Sequence, residues 1–227
     1  MCSSDLKGAQ RVVVATDDER IKDEAERFGA EVIITSEQCK NGTERCAEAA
    51  DKLGNEYDIV VNSQGDAPLT PPWFVDDLIN ALKEKPDFHV ATPVLRCDVA
   101  MVKDLLEDRR NSLVGGTTAV FSKDFSALYF SKEVIPFISE QRLKSNEGFV
   151  YHHVGVYDYQ KKILSRYVDW GSSNLEISEV LEQLRFIENN KKILCVEVNA
   201  KGRKFWELNN PEDIGKIENF MLEMGLN

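Results

Sequence analysis

The sequence predicts one α/β domain: a Rossmann-like parallel sheet with helices on both faces and an inserted antiparallel layer. Three features carry that expectation. Short apolar runs alternate with helical stretches through the first half, a β-rich block with turn signals fills the middle, and the last third returns to helix, strand and helix. At 227 residues, 42% hydrophobic and 30% charged, the chain is long enough for one sizeable core. It shows no internal repeat, linker or low-complexity segment.

Val12-Val13-Val14-Ala15 reads as a short buried strand, and Thr16-Asp17-Asp18 then opens a helix to about Phe28. Thr16 or Asp17 serves as its N-cap, and Gly29 stops it. Residues 31–35 are the second strand, 43–53 a helix ended by Gly54, and 57–62 the third strand. Pro71-Pro72 opens a helix to about Lys85, since a first turn does not need the missing N–H. Residues 89–92 give the fourth strand. Within an insert at roughly 112–160, residues 117–121, 127–131 and 154–159 read as antiparallel strands. Helix 175–188, strand 193–198 and helix 211–224 complete the domain.

The formal charge of -11 disfavours nucleic acid and anionic membrane as partners, although a local basic cluster would still admit a small anion. No apolar run approaches membrane-spanning length, and a cytoplasmic location is expected. Five cysteines without a CxxC pair, and three histidines without ligand spacing, argue against structural zinc or a disulfide framework. No GxGxxG follows a strand, which disfavours a dinucleotide-dependent dehydrogenase.

The stretch VVNSQGDAPLTPP, residues 60–72, holds the strongest chemical signal. Asp66 sits just past a buried strand, and open parallel sheets bind ligands outside the carboxyl ends of their strands. A carboxylate fixed there suits a hard cation such as Mg²⁺; an Asx-type turn is the plainer reading.

Taken in series, several stretches resemble the CMP-Kdo synthetases (3-deoxy-manno-octulosonate cytidylyltransferases). They are VVVATDDERI, FGAEVIITS, NGTERCAEAA, VVNSQGDAPL, ALYFSKEVIP, HHVGVYDY and LEQLRFIE, in the family's order and across nearly the whole chain. The resemblance implies transfer of a cytidylyl group from CTP to Kdo, an acidic eight-carbon sugar, with Mg²⁺ as cofactor and a homodimer as the working form. A cytidylyltransferase for another acidic sugar, or a non-catalytic fragment that keeps the fold, is the alternative. It makes Asp66 the metal-holding aspartate and Gln64 a substrate contact, with loop bracing the alternative for Gln64. Gly42, Thr43 and Arg45 of Asn41-Gly42-Thr43-Glu44-Arg45 match a stretch beside the nucleotide, where Arg45 neutralises phosphate or braces Glu44. His153 matches a histidine that lies against the sugar, and the basic position before it is His152, a titratable charge. Glu182 and Gln183 match a sugar-binding pair, one of which binds while the other braces.

Two departures stand out. The family's opening strand and its loop P-x-R-x-x-S-x-R-[LF]-P-x-K do not occur. Residues 1–11 are expected to be a non-native start, because Cys2-Ser3-Ser4-Asp5-Leu6 is what the tail of a sequencing adaptor would encode. Residues 12–227 are then the cytidylyltransferase domain, and weak CTP binding with little turnover is expected of the chain in this form. Asn209 replaces the first aspartate of the family's G-V-D-T-P-E-D, so it is either a weaker metal ligand or a structural residue beside the capping group Pro211-Glu212-Asp213.

Overall fold

In the computed structural model, residues 6–113, 116–145, 149–203, 207–208, 211 and 213–225 are described. The first half follows the periodicity closely. Strand β1 (Val13–Thr16) leads into helix α1 (Glu19–Arg27), then β2 (Glu31–Ile34), α2 (Gly42–Lys52), β3 (Ile59–Ser63), α3 (Pro72–Glu84) and β4 (Val90–Arg96). The N-cap of α1 is Asp18, one or two residues later than expected, because its carboxylate reaches the Arg20 N–H at 2.8 Å. Asn41 caps α2 by accepting the Glu44 N–H at 2.9 Å. Gly29 and Gly54 end the first two helices at φ of 76° and 78°, where a side chain would be strained.

Helix α4 (Val99–Arg110) follows β4 and went unread in the sequence; Asp98 caps it through the Met101 N–H. Beyond it come β5 (Thr117–Phe121), β6 (Ala127–Ser131), α5 (Glu140–Lys144), β7 (Tyr151–His153), β8 (Val156–Gln160) and α6 (Lys161–Tyr167). A single 3-10 turn leads to α7 (Asn174–Glu179), α8 (Leu184–Glu188), β9 (Ile193–Glu197) and α9 (Asp213–Glu223).

The β-rich insert is woven into the sheet and does not form a layer of its own. Strand β8 runs antiparallel between β3 and β4, so those two are not neighbours. Strand β7 lies between β4 and β5, and β6 pairs with β5. Parallel pairing joins β4 to β9 and, in a separate two-stranded sheet, β1 to β2. Helix α2 touches both β1 and β3 and so ties the small sheet to the large one.

The strand expected over 154–159 begins only at Val156 as β8, and residues 154–155 form a bend that joins it to β7, a strand not expected. Pro93 of β4 has no N–H to give, and its carbonyl instead accepts the Val154 N–H at 3.1 Å. The Thr92 hydroxyl donates to the Val156 carbonyl at 2.8 Å and fixes the bend. Two apolar cores flank the large sheet. One gathers Tyr157, Tyr159, Leu164, Tyr167, Leu184 and Phe186; the other gathers Phe74, Leu78, Leu82, Ala91, Val156 and Leu194 under α3. Leu6 packs on the second core, and the Gly8 N–H donates to Asp76 at 3.0 Å.

Candidate active site

A cleft of about 500 Å³ opens beyond the carboxyl end of β3. Its wall is assembled from Lys40, Asn41 and Gly42 at the start of α2, Gln64 and Asp66 after β3, and His153, Gly155 and Tyr157 around the β7–β8 bend. Ser172, the stretch from Glu176 to Gln183, and Glu207 close it.

Chain reversal places these groups. Val180 takes a left-handed conformation, φ 55° and ψ 48°, and ends α7. The helix expected over 175–188 is therefore two short helices with a turn between them, and Leu181, Glu182 and Gln183 sit on that turn. Freed from a helix face, the Glu182 carboxylate reaches across the cleft floor. It accepts the Thr43 N–H at 2.8 Å, capping α2, and the Gln64 side-chain N–H at 2.7 Å. Burial raises its pKa, and those two hydrogen bonds oppose the rise. Gln64 is further confined by two glycines. A Cβ on Gly42 would stand 3.0 Å from Gln64 Nε2, and one on Gly155 3.0 Å from Gln64 Oε1. Gln64 and Glu182 thus form the brace.

Behind the wall lies an ion cluster. Arg185, fully buried, donates twice to Glu176 at 2.6 and 2.7 Å and once to Glu44 at 2.9 Å. Its guanidinium carbon stands 4.0 Å from the Tyr167 ring centroid. Asn41 donates its side-chain amide to Glu176 and to the Tyr167 hydroxyl, both at 3.1 Å. The cap of α2 is thereby locked to α7.

Gln183 differs from its neighbour. It is 1% exposed, its Oε1 accepts the Tyr157 hydroxyl at 3.1 Å, and among the described residues its Nε2 has no hydrogen-bond partner. A buried donor left unpaired costs free energy, and a ligand in the cleft would recover it. His153 lies 4.9 Å from Phe130 and 5.4 Å from Tyr157, ring to ring. Burial pushes its pKa down to about 3, and that of His152 down to about 4, so both are neutral near pH 7. His152, expected as a titratable group, is held neutral because the ring is buried beneath Gly116, where a Cβ would come within 2.7 Å of it. With the Thr92 proton given to Val156, His153 Nε2 donates to the Thr92 hydroxyl at 2.9 Å, which leaves Nδ1 as the acceptor.

Asp66 is on the wall with its side chain open to solvent, and the water it does lose raises its pKa. Among the described residues no lysine, arginine or histidine pairs with it. Its backbone carbonyl accepts the Leu208 N–H at 2.7 Å, which brings the segment at 207–208 against this loop.

Of the residues expected to act, Asp66, Gln64, Gly42, His153, Glu182 and Gln183 converge on the cleft. Thr43 and Arg45 do not line it. Thr43 is fully buried with its hydroxyl 2.8 Å from that of Tyr159, while Arg45 pairs with Asp17 at 2.9 Å and donates to Thr35. Glu44, which Arg45 was an option to brace, is held by Arg185 instead. Asn209 lies outside the described residues. Glu207 was missed, although an acid standing where the family pattern has glycine was a legible signal. Glu176 and Lys40 were missed as well, since nothing in their local sequence distinguishes them from solvated helix and loop.

Sheet order and cleft together define a nucleotidyltransferase fold: a mixed sheet with a carboxylate and a helix N-terminus meeting at the strand ends. A family model described as cytidylyltransferase matches residues 4–193. The chain belongs to that family, within the 3-deoxy-manno-octulosonate cytidylyltransferases. The protein of that name from Maricaulis maris (strain MCS10) is 40% identical over 221 residues, covering 97% of this chain and 84% of its own length. The mitochondrial one from Arabidopsis thaliana is 38% identical over 216 residues, covering 95% and 70%. A solved structure of CMP:2-keto-3-deoxy-manno-octonic acid synthetase complexed with CTP superimposes with a TM-score of 0.81 at 29% identity, covering 96% of this chain and 83% of that one.

Proposed function

We infer that the chain transfers a cytidylyl group from CTP to Kdo, giving CMP-Kdo and pyrophosphate for lipopolysaccharide or capsule synthesis. The anomeric hydroxyl of the sugar attacks the α-phosphorus, the bond to the β-phosphate oxygen breaks, and pyrophosphate leaves with the electron pair. One observation supports the site above the others: the carboxylate of Asp66, which no described lysine, arginine or histidine pairs, stands on a wall that also carries Glu176, Glu182 and Glu207 against the single lysine, Lys40, among its described residues. Such a wall repels a bare triphosphate, and its oxygen donors suit a hard cation. Mg²⁺ held by Asp66, with Asn209 as the further ligand the family pattern offers, would supply the counter-charge for the phosphates.

The protein's own groups do the positioning. Gly42 presents the positive end of α2, the side of a helix that favours an anion. Gln183 Nε2 offers its unpaired N–H to the sugar acid, and neutral His153 offers an acceptor at Nδ1. Gln64 and Glu182 hold those two surfaces at a fixed separation. The apolar side chains of Leu128, Phe137 and Phe149, all exposed, support pairing of two chains through the 127–159 block. Among the described residues no helix is long and apolar enough to cross a membrane, and we place the enzyme in the cytoplasm.

Prolonged incubation with CTP, Mg²⁺ and a panel of sugar acids, read by mass spectrometry, tests the reading. CMP-Kdo should form in preference to other products, however slowly, and Asp66→Asn should reduce it about 100-fold or more. Preference for another acid would replace Kdo as the substrate. An undiminished Asp66→Asn rate would remove Asp66 from the site.

A further inference from the structure

We propose that Glu179 is a positioning residue for the acceptor: its carboxylate ties the end of α7 to strand β6 and so sets the turn that carries Glu182 and Gln183 into the cleft. This rests on the reading that Gln183 meets the sugar acid. Helix α7 has six residues, too few to hold its own place, so tertiary bonds must fix it. Its middle is fixed by Glu176, which accepts from Arg185 and Asn41. Its end has no apolar anchor, since Ile177 is 64% exposed and Val180 72%. Of residues 177–180, only Glu179 is partly buried. Its Oε1 accepts the Ser131 hydroxyl at 2.8 Å and the Tyr129 hydroxyl at 3.3 Å, and its Oε2 accepts the Lys132 N–H at 3.0 Å.

The far end of this tether is firm. Ser131 is 3% exposed and pairs with Thr118 of β5, and its hydroxyl oxygen accepts the Glu133 N–H at 3.0 Å while its proton goes to Glu179. The near end directly precedes Val180, whose left-handed φ of 55° and ψ of 48° a β-branched side chain opposes. The Val180 and Leu181 N–H groups close the turn on the Glu176 carbonyl, but both bonds stay within the 176–181 segment. Among the described residues, the hydrogen bonds at Glu179 are those that join 177–180 to the sheet. Without them the strained turn is free to relax, and Gln183, three residues further on, loses its set place on the wall. The tether touches neither substrate, so its loss should fall on acceptor binding and spare CTP binding and the chemical step.

Steady-state assays of the full chain with Mg²⁺, varying Kdo at saturating CTP and then the reverse, test the assignment. Hydrogen exchange on the ligand-free chain gives a second readout. Glu179→Gln keeps the side chain's size and should raise the KM for Kdo about fivefold or more, leaving kcat and the KM for CTP within about twofold. The Thr43 amide, whose acceptor Glu182 sits on the turn, should exchange about tenfold faster or more. Adding Val180→Gly, which takes the left-handed conformation freely, should recover most of the loss in both readouts. Ser131→Ala removes one bond from the other end; it should move the KM for Kdo the same way by less, and serves as the reading if Glu179→Gln fails to fold. If Gln183→Leu raises that KM while Glu179→Gln leaves it within about twofold, or if Val180→Gly recovers nothing, Glu179 does not act through the turn and the reading of Gln183 stands. If neither Glu179→Gln nor Gln183→Leu moves it, the acceptor does not meet this turn and both readings fall.

Discussion

The two faces of the large sheet bury charge in opposite ways. On the cleft side, Arg185 is fully enclosed with Glu44 and Glu176, and the group is closed by three short ion-pair hydrogen bonds and the Tyr167 ring. On the α3 side, Asp158 points from β8 into an aliphatic core, level with Val61 and Ala91. It is 0% exposed and among the described residues neither carboxyl oxygen has a partner, so burial raises its pKa well above the usual range. Strand alternation makes the contrast sharp, because Tyr157 and Tyr159, its immediate neighbours on β8, face the other core. Buried charge is therefore organised where it fixes the cleft wall and left uncompensated where it fixes nothing.

Breaking the organised side should have the largest effect. Arg185→Met leaves two carboxylates buried without their cation, and should cost about 3–5 kcal/mol in urea unfolding. A loss below about 1 kcal/mol would show that the cluster is not what joins α2 to α7. Acid probes both faces at once. His152 and His153 are held neutral in the fold, with pKa values pushed to about 4 and about 3, below an ordinary histidine near 6.5. Protons then favour the unfolded chain, so this stabilisation is complete above pH 6.5 and is lost as pH falls toward 4. At pH 5 the loss should be about 2 kcal/mol for each histidine, and His152→Asn should remove its own share of the slope. Relieving the uncompensated side should give the smallest change, and the only gain. Asp158→Ala should stabilise the protein by about 1–3 kcal/mol at pH 7. Because the folded pKa of Asp158 is raised, its penalty grows as pH rises above about 4, the ordinary aspartate value, and the gain should vanish near pH 4. A gain that persists unchanged at pH 4 would mean that packing, not charge, sets the cost.

Local signals reported themselves in part. Asp98, Asn41, Gly29 and Gly54 act on the few residues beside them, and the two glycines were read as the helix ends they are, while the Asp98 cap went unread with its helix. Asn41 was noticed only as a stand-in for serine, yet it caps α2 and also grips Glu176. The β7–β8 break was not legible from residues 151–160, because its cause is Pro93 on another strand. The split of the 175–188 helix had no breaker to announce it: Val180 disfavours the left-handed region, yet its N–H and that of Leu181 both donate to the Glu176 carbonyl and close the turn. That split is what turned Glu182 from a surface helix residue into the cap of α2.

The sequence alone determined the alternation of strands and helices, the placement of Asp66 at a strand end and the family to which the chain belongs, since periodicity, caps and motif order are properties of neighbouring residues. Only the tertiary structure decided that β8 lies between β3 and β4, that Gln64 and Glu182 brace one another, that both histidines are uncharged, and that Glu207 reaches the cleft. Each of these depends on residues tens of positions apart being brought into contact and out of water, and no local pattern specifies which groups will meet or how much solvent they will lose.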